Sequence, residues 1–194
     1  MGQTMPKVNV AVIVGSNRRD SINRKLAQAF AKLAAEKLAV TFIRIDDLPM
    51  YNQDLESPLP ASVARFKAEL EAADALLVFT PEHNRSIPAV LKNAIDWGTR
   101  PYGHNSWAAK LAAVTGTSPG AIGTAMAQQH LRQVLGALGA LVMGGEAYVS
   151  FRPDLIDASN LITDAGTRAL LQSFANRIAE IAGRLQASKQ AIAA

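Results

Sequence analysis

The order of apolar and polar residues divides the chain into short, almost uninterrupted apolar runs separated by longer segments with helical spacing. The runs are VNVAVIVG, ending at Gly15; VTFIRI, ending before Asp46 and Asp47; DALLVFT, ending before Pro81; and KLAAVTG, ending at Gly116. A fifth lies within LGALGALVMGGEAYVS and begins near Ala140. Continuous rather than alternating apolar character predicts strands buried on both faces, as in a parallel sheet covered by helices. Ile22, Leu26, Ala29, Phe30 and Leu33 predict a helix over residues 21–37, with Asn23, Lys25 and Lys32 outside its apolar stripe. Leu171, Phe174, Ile178, Ile181 and Leu185 predict the last helix in the same way.

Five strands alternating with five helices, with no internal repeat and no linker rich in Pro or Gly, describe one doubly wound α/β domain. We take it as residues 1–186, followed by a flexible tail over residues 187–194 that begins in the polar ASKQ. In such sheets a ligand binds beyond the carboxyl ends of the strands, near the reversal of winding, which directs attention to the loops there.

Composition narrows the chemistry. The 194 residues suit one domain, and 49% apolar with 19% charged residues is ordinary for a globular chain. The net charge of +4 is spread among acids along the helices, which gives no basic patch and speaks against nucleic acid as a partner. With no cysteine, the chain has no disulfide and no thiolate nucleophile or ligand, so any redox chemistry is borrowed from a cofactor. The opening MGQTMPKVNVAV reads neither as a signal peptide nor as an acylation motif, and nothing approaches the roughly 18 apolar residues of a membrane span, so the expected location is cytoplasmic.

After the first strand comes GSNRRDSIN, residues 15–23, which sets small hydroxyl residues and two arginines between a strand end and a helix start. Ser21 suits the N-cap, and Ser16 and Arg18 add donors to a helix N-terminus, the chemistry of a phosphate site that needs no metal. A helix cap beside solvated arginines is the competing reading. Neither G-x-x-x-x-G-K-[ST] nor G-x-G-x-x-G is present, so triphosphate and ordinary Rossmann sites lack their fingerprint, although Asp46 and Asp47 stand where a ribose-binding acid would.

The third loop follows the apolar run of residues 74–80, which reads as the central strand. Pro81 has no N–H for the ladder and turns the chain out of the sheet. Ser86 is the expected cap of the next helix, with Pro88 in its first turn and Ile87, Leu91, Ala94 and Ile95 on its buried face. Residues 81–85, Pro-Glu-His-Asn-Arg, are thereby a short stiff loop facing the crevice. His83, His104 and His130 are too scattered to suggest a metal site.

Taken together, GSNRRDSIN, DLPMYNQDLE, PEHNRSIPAVLKNAIDW and GTSPGAIGT resemble, in order, four loops of the NAD(P)H-dependent FMN reductases of flavodoxin-like fold, in the branch containing bacterial chromate and quinone reductases. The resemblance covers nearly the whole chain. It implies a five-stranded parallel sheet of order 2-1-3-4-5 with helices on both faces. It also implies bound FMN, its phosphate held at Ser16, Arg18, Ser21, Ile22 and Asn23. Pro81, Glu82, His83, Asn84 and Arg85 would then border the isoalloxazine, with Ser118 nearby. The family often has tyrosine at the position of His83 and an aromatic at that of Arg85.

The activity implied is hydride transfer from NADPH or NADH to the flavin, followed by electron delivery to a small-molecule acceptor: a quinone, free flavin or chromate. No side chain acts as nucleophile or general acid or base. Backbone N–H groups of residues 82–85 and the Asn84 side chain are candidates for tuning the ring, and Arg85, with His83, for gripping the nicotinamide nucleotide. The implied assembly is a homodimer or homotetramer. The rivals are an FMN-dependent azoreductase, which differs only in acceptor, and a flavodoxin-type electron carrier, against which the basic net charge and the arginines of the first loop weigh.

Overall fold

The computed structural model describes residues 7–193. Five strands run parallel: β1 (Val8–Val14), β2 (Leu38–Ile43), β3 (Ala75–Phe79), β4 (Leu111–Ser118) and the two-residue β5 (Leu141–Val142). They lie in the order β2-β1-β3-β4-β5, so winding reverses between β1 and β3. A sixth strand, β6 (Tyr148–Ser150), also pairs with β4. The helices are α1 (Ile22–Leu33), α2 (Ala61–Ala72), α3 (Ala89–Gly98), α4 (Ala125–Ala137) and α5 (Ala165–Ala193).

The uniform apolar runs serve two cores, because side chains alternate across a sheet. Val10, Val12 and Val14 of β1, Leu77 and Phe79 of β3 and Ala113 of β4 pack under α1 and α5, around Phe30, Phe174 and Ile178. Their neighbours Ala11, Ile13, Leu76, Val78, Ala112 and Val114 pack under α2, α3 and α4, around Phe66, Trp97, Trp107 and Leu131. All five residues of β3 are buried, as the centre of a sheet covered on both sides requires. Residues 187–193, expected as a tail, continue α5; residue 194 lies outside the described residues.

The two edge strands depart from the expectation of burial on both faces, and β2 leaves Thr41 and Phe42 exposed. The fifth apolar run forms two pieces in place of one buried strand. β5 pairs with Leu111 and Ala112, and β6 resumes beside Gly116, Thr117 and Ser118. Between them the chain turns through Gly145 at φ 84°. Arg132 of α4 takes over the missing ladder partners, donating to the carbonyls of Met143 at 2.6 Å and Gly145 at 2.7 Å. Burial pushes its guanidinium below the ordinary arginine value, with Tyr148 and Glu146 opposing that shift. Leu141 is 46% exposed, as an edge residue can be.

Candidate functional site

The carboxyl ends of β1, β3 and β4 deliver three loops to one edge of the sheet. Two glycines let them touch. A Cβ on Gly15 would lie 3.0 Å from Leu91 Cδ2 and 3.3 Å from Pro81 Cδ. One on Gly116 would lie 2.1 Å from the Thr80 carbonyl oxygen and 2.4 Å from Thr124 Oγ1. Gly116 therefore packs against the Thr80 backbone closer than a side chain allows, and Gly15 meets Leu91 and Pro81 more tightly than most side chains would.

In the first loop Ser21 is the N-cap of α1 and its hydroxyl accepts from the Arg24 N–H at 3.2 Å. Ser16 Oγ accepts from the Arg18 N–H at 3.3 Å. The first-turn N–H groups that no helical carbonyl can take, including that of Ile22, point toward this loop, where Arg18 and Arg19 are exposed. The set of donors is that of an anion site. Asn23 corrects the stripe drawn from the sequence, because it is buried, at 2% exposure. Its Nδ2 donates to the Thr117 carbonyl at 2.8 Å, and the Thr117 N–H donates to its Oδ1 at 2.9 Å. The residue clamps α1 to the end of β4.

The third loop makes a tight turn. His83 and Ser86 exchange two backbone hydrogen bonds of 2.9 Å, and between them Asn84 has φ 49° and Arg85 φ 63°. Two successive left-handed residues are the signature of a type I′ turn, tolerated by asparagine and costly for arginine. Glu82, ahead of the turn, accepts from the Met126 and Ala127 N–H groups at 3.1 and 3.3 Å and from Arg85 Nη1 at 3.1 Å. Ser86 is not the cap of α3. Its hydroxyl lies 2.8 Å from His130 Nδ1 on α4, and Pro88 occupies the N-cap position at φ −63° and ψ 149°. The proline keeps Ile87 from joining the helix, so α3 begins two residues later than a serine cap would set it.

The fourth loop closes the opposite side. Ser118 Oγ donates to the Gly123 carbonyl and accepts from the Gly120 N–H, while Phe151 N–H donates to the Ser118 carbonyl at 2.8 Å. Between this loop and the turn lies a cleft of about 280 Å³ lined by Glu82, Asn84, Arg85, Ser118, Gly120, Ile122 and Gly123. Its lining joins the charged Glu82 and Arg85 to Asn84, Ser118 and two glycines, with the half-exposed Ile122 at the side. This polar lining offers hydrogen-bond partners to a flat ring with amide-like edges.

The two acids after β2 are already occupied. Asp46 meets Arg44 at 3.0 Å, which holds its carboxyl below the ordinary value against some opposing burial, and Asp47 meets Arg65 at 2.9 Å. These exposed pairs contribute little to stability.

The structure thus brings Ser16, Arg18, Ser21 and Ile22 to one corner of the edge, and Glu82, Asn84, Arg85 and Ser118 around the cleft beside it. Pro81 joins the two through Gly15, and His83 opens the turn. Sequence reasoning did not single out Gly120, Ile122 and Gly123, although the paired glycines of GAIG signalled backbone approach. The contacts of Glu82 and Ser86 to α4 span 44 residues and left no local signal.

The description NADPH-dependent FMN reductase belongs to the family profile that matches residues 8–154. A 2-hydroxy-1,4-benzoquinone reductase from Burkholderia sp. is 46% identical over 173 residues, covering 89% of this chain and 94% of its own length. A quinone reductase from Pseudomonas putida is also 46% identical, with coverages of 88% and 92%. Among solved structures, the flavoenzyme NAD(P)H:(acceptor) oxidoreductase FerB from Paracoccus denitrificans superposes with a TM-score of 0.88 at 46% identity, over 91% of this chain and 98% of that one.

Proposed function

The chain belongs to the NADPH-dependent FMN reductase family, and we propose that it passes the electrons it takes from NAD(P)H to quinones. The observation that carries this reading is the cleft between the left-handed turn and the Ser118 loop, set beside the basic N-terminus of α1 at the winding reversal. The similarity to two quinone reductases supports the acceptor. Free flavin and chromate are further acceptors we propose, since each is a small oxidant that can meet an exposed ring.

In this reading Ser16, Arg18, Ser21 and the Ile22 N–H would hold the phosphate of FMN, with Asn23 fixing the helix that presents them. Residues 81–85 and Ser118 would border the ring. Bound FMN supplies the redox chemistry, accepting hydride from the nicotinamide and giving electrons to the oxidant. The chain's own part is placement. Glu82, Asn84 and Arg85 offer backbone N–H groups and Asn84 its amide to the ring edge, the His83 N–H being spent on the Ser86 carbonyl, and the close packing at Gly15 and Gly116 helps to place these donors. Arg85, 75% exposed at its side chain, and His83 face the approach and meet the nicotinamide nucleotide, the arginine as a partner for its phosphates.

We further propose one working domain over residues 1–186, an assembly of two or four copies, and a cytoplasmic location, where reduced nicotinamide is supplied. The test is the visible spectrum of the purified protein, followed by identification of the released chromophore. A yellow protein that NADPH alone bleaches under anaerobic conditions, and that a quinone re-oxidises, is the expected result. A colourless protein that fails to bind added FMN overturns the reading; bound flavin that waits for a protein partner before it is reduced favours an electron carrier.

A further inference from the structure

Glu82 borders the cleft, yet its carboxylate is committed elsewhere. One oxygen takes the N–H groups of Met126 and Ala127, in the first turn of α4, and the other takes Arg85 Nη1. Helix α4 lacks a cap of its own: Thr124 makes no side-chain cap bond, and no acid lies in the first turn. The positive end of this helix is therefore met by a carboxylate from 44 residues earlier, with a side chain only 11% exposed. The same group draws Arg85 into an i,i+3 ion pair while that residue sits at φ 63°, a conformation arginine does not favour.

These contacts connect the two walls of the cleft. The turn of residues 83–86 forms one wall; the Ser118–Gly123 segment, which runs directly into α4, forms the other. Resting on the proposed binding of FMN, we propose that Glu82 is a positioning residue that sets the width of the flavin slot and the orientation of the turn. It acts through α4 and Arg85, without its carboxylate touching the ring. A helix cap alone would stabilise α4 and leave the slot unchanged; a tie between the walls changes how the ring is held.

The two roles separate experimentally. Glu82→Gln keeps the shape of the side chain and removes the charge. Ala125→Asp, in the first turn of α4, returns a negative charge to the helix end from within the helix itself. Loss of the cap should lower the melting temperature of E82Q by roughly 2–4 °C, and the double variant should recover most of that. The Kd for FMN, read by quenching of flavin fluorescence, should rise about tenfold in E82Q and remain raised in the double variant, with an altered visible circular dichroism spectrum of the bound flavin in both.

Recovery of both FMN affinity and visible spectrum together with the melting temperature would reduce Glu82 to a cap and overturn the proposal. An E82Q affinity within twofold of the parent would do the same. A parent protein that binds no FMN sinks the underlying reading and this inference with it. One that binds FMN normally, while E82Q binds equally well, sinks the inference alone.

Discussion

Asn23→Ala should destabilise the protein even without cofactor. Asn23 and Thr117 are 2% and 1% exposed, and the asparagine amide satisfies both the N–H and the carbonyl of Thr117 across the gap between α1 and β4. Truncation leaves a buried donor and a buried acceptor without partners, at roughly 1–3 kcal/mol for each, or about 4 kcal/mol together. The better helix propensity of alanine offsets only a few tenths of a kcal/mol. For a domain of this size each kcal/mol moves the melting temperature by about 2–4 °C, so calorimetry of the cofactor-free protein should show a drop of roughly 8–16 °C. Asn23→Asp provides a second reading. Its carboxylate still accepts from the Thr117 N–H but opposes the carbonyl oxygen, so burial raises its pKa. That variant is expected to be unstable at neutral pH and to regain stability as acid restores a donor, stability being lost again as pH rises through the raised value. A cofactor-free N23A protein melting within about 3 °C of the parent would refute the clamp, and a defect confined to FMN affinity would make Asn23 a ligand instead.

Three further outcomes follow from the geometry. Gly116→Ala drives a methyl group into the Thr80 carbonyl and Thr124 Oγ1, and should cost roughly 3 kcal/mol or more in chemical denaturation; a loss below 1 kcal/mol would mean the third and fourth loops can part freely. Asp164 accepts from the Thr167 N–H at 2.7 Å, and this bond, ahead of the nearby Arg152, holds its carboxyl below the ordinary value. Its contribution is therefore present above about pH 4 and lost as pH falls through the lowered value, so Asp164→Asn should flatten the acid limb of the stability profile; an unchanged limb would refute this. Arg85→Ala should raise the apparent KM for NADPH roughly tenfold with kcat little changed, and an unaltered KM would remove Arg85 from the nicotinamide site.

The local pattern already carried the architecture. Uninterrupted apolar runs placed the strands, Ser21 announced the start of α1, and Pro81 marked where the central strand gives way to loop. Each of these signals lies within a few residues of the feature it specifies, because capping, ladder pairing and helical stripes are short-range effects. Motif order along the chain also carried the family, since loops at the strand ends must present their donors in that order.

Other features depended on partners far along the sequence. Asn23 looked like a surface position and proved buried, because its bonding partner is Thr117, on another strand. Ser86 looked like a helix cap, but Pro88 moved the helix start and His130 lies beside the hydroxyl. The apolar fifth run gave no sign that it would split around Gly145, with Arg132 meeting the carbonyls released. The sequence by itself determined most of the segments that become strand, helix and loop, and hence which edge of the sheet holds the candidate site. Only the tertiary structure decided which side chains at that edge are free to meet a ligand and which are consumed in holding it together, because a polar group buried by folding takes whichever donor or acceptor the packing brings within reach.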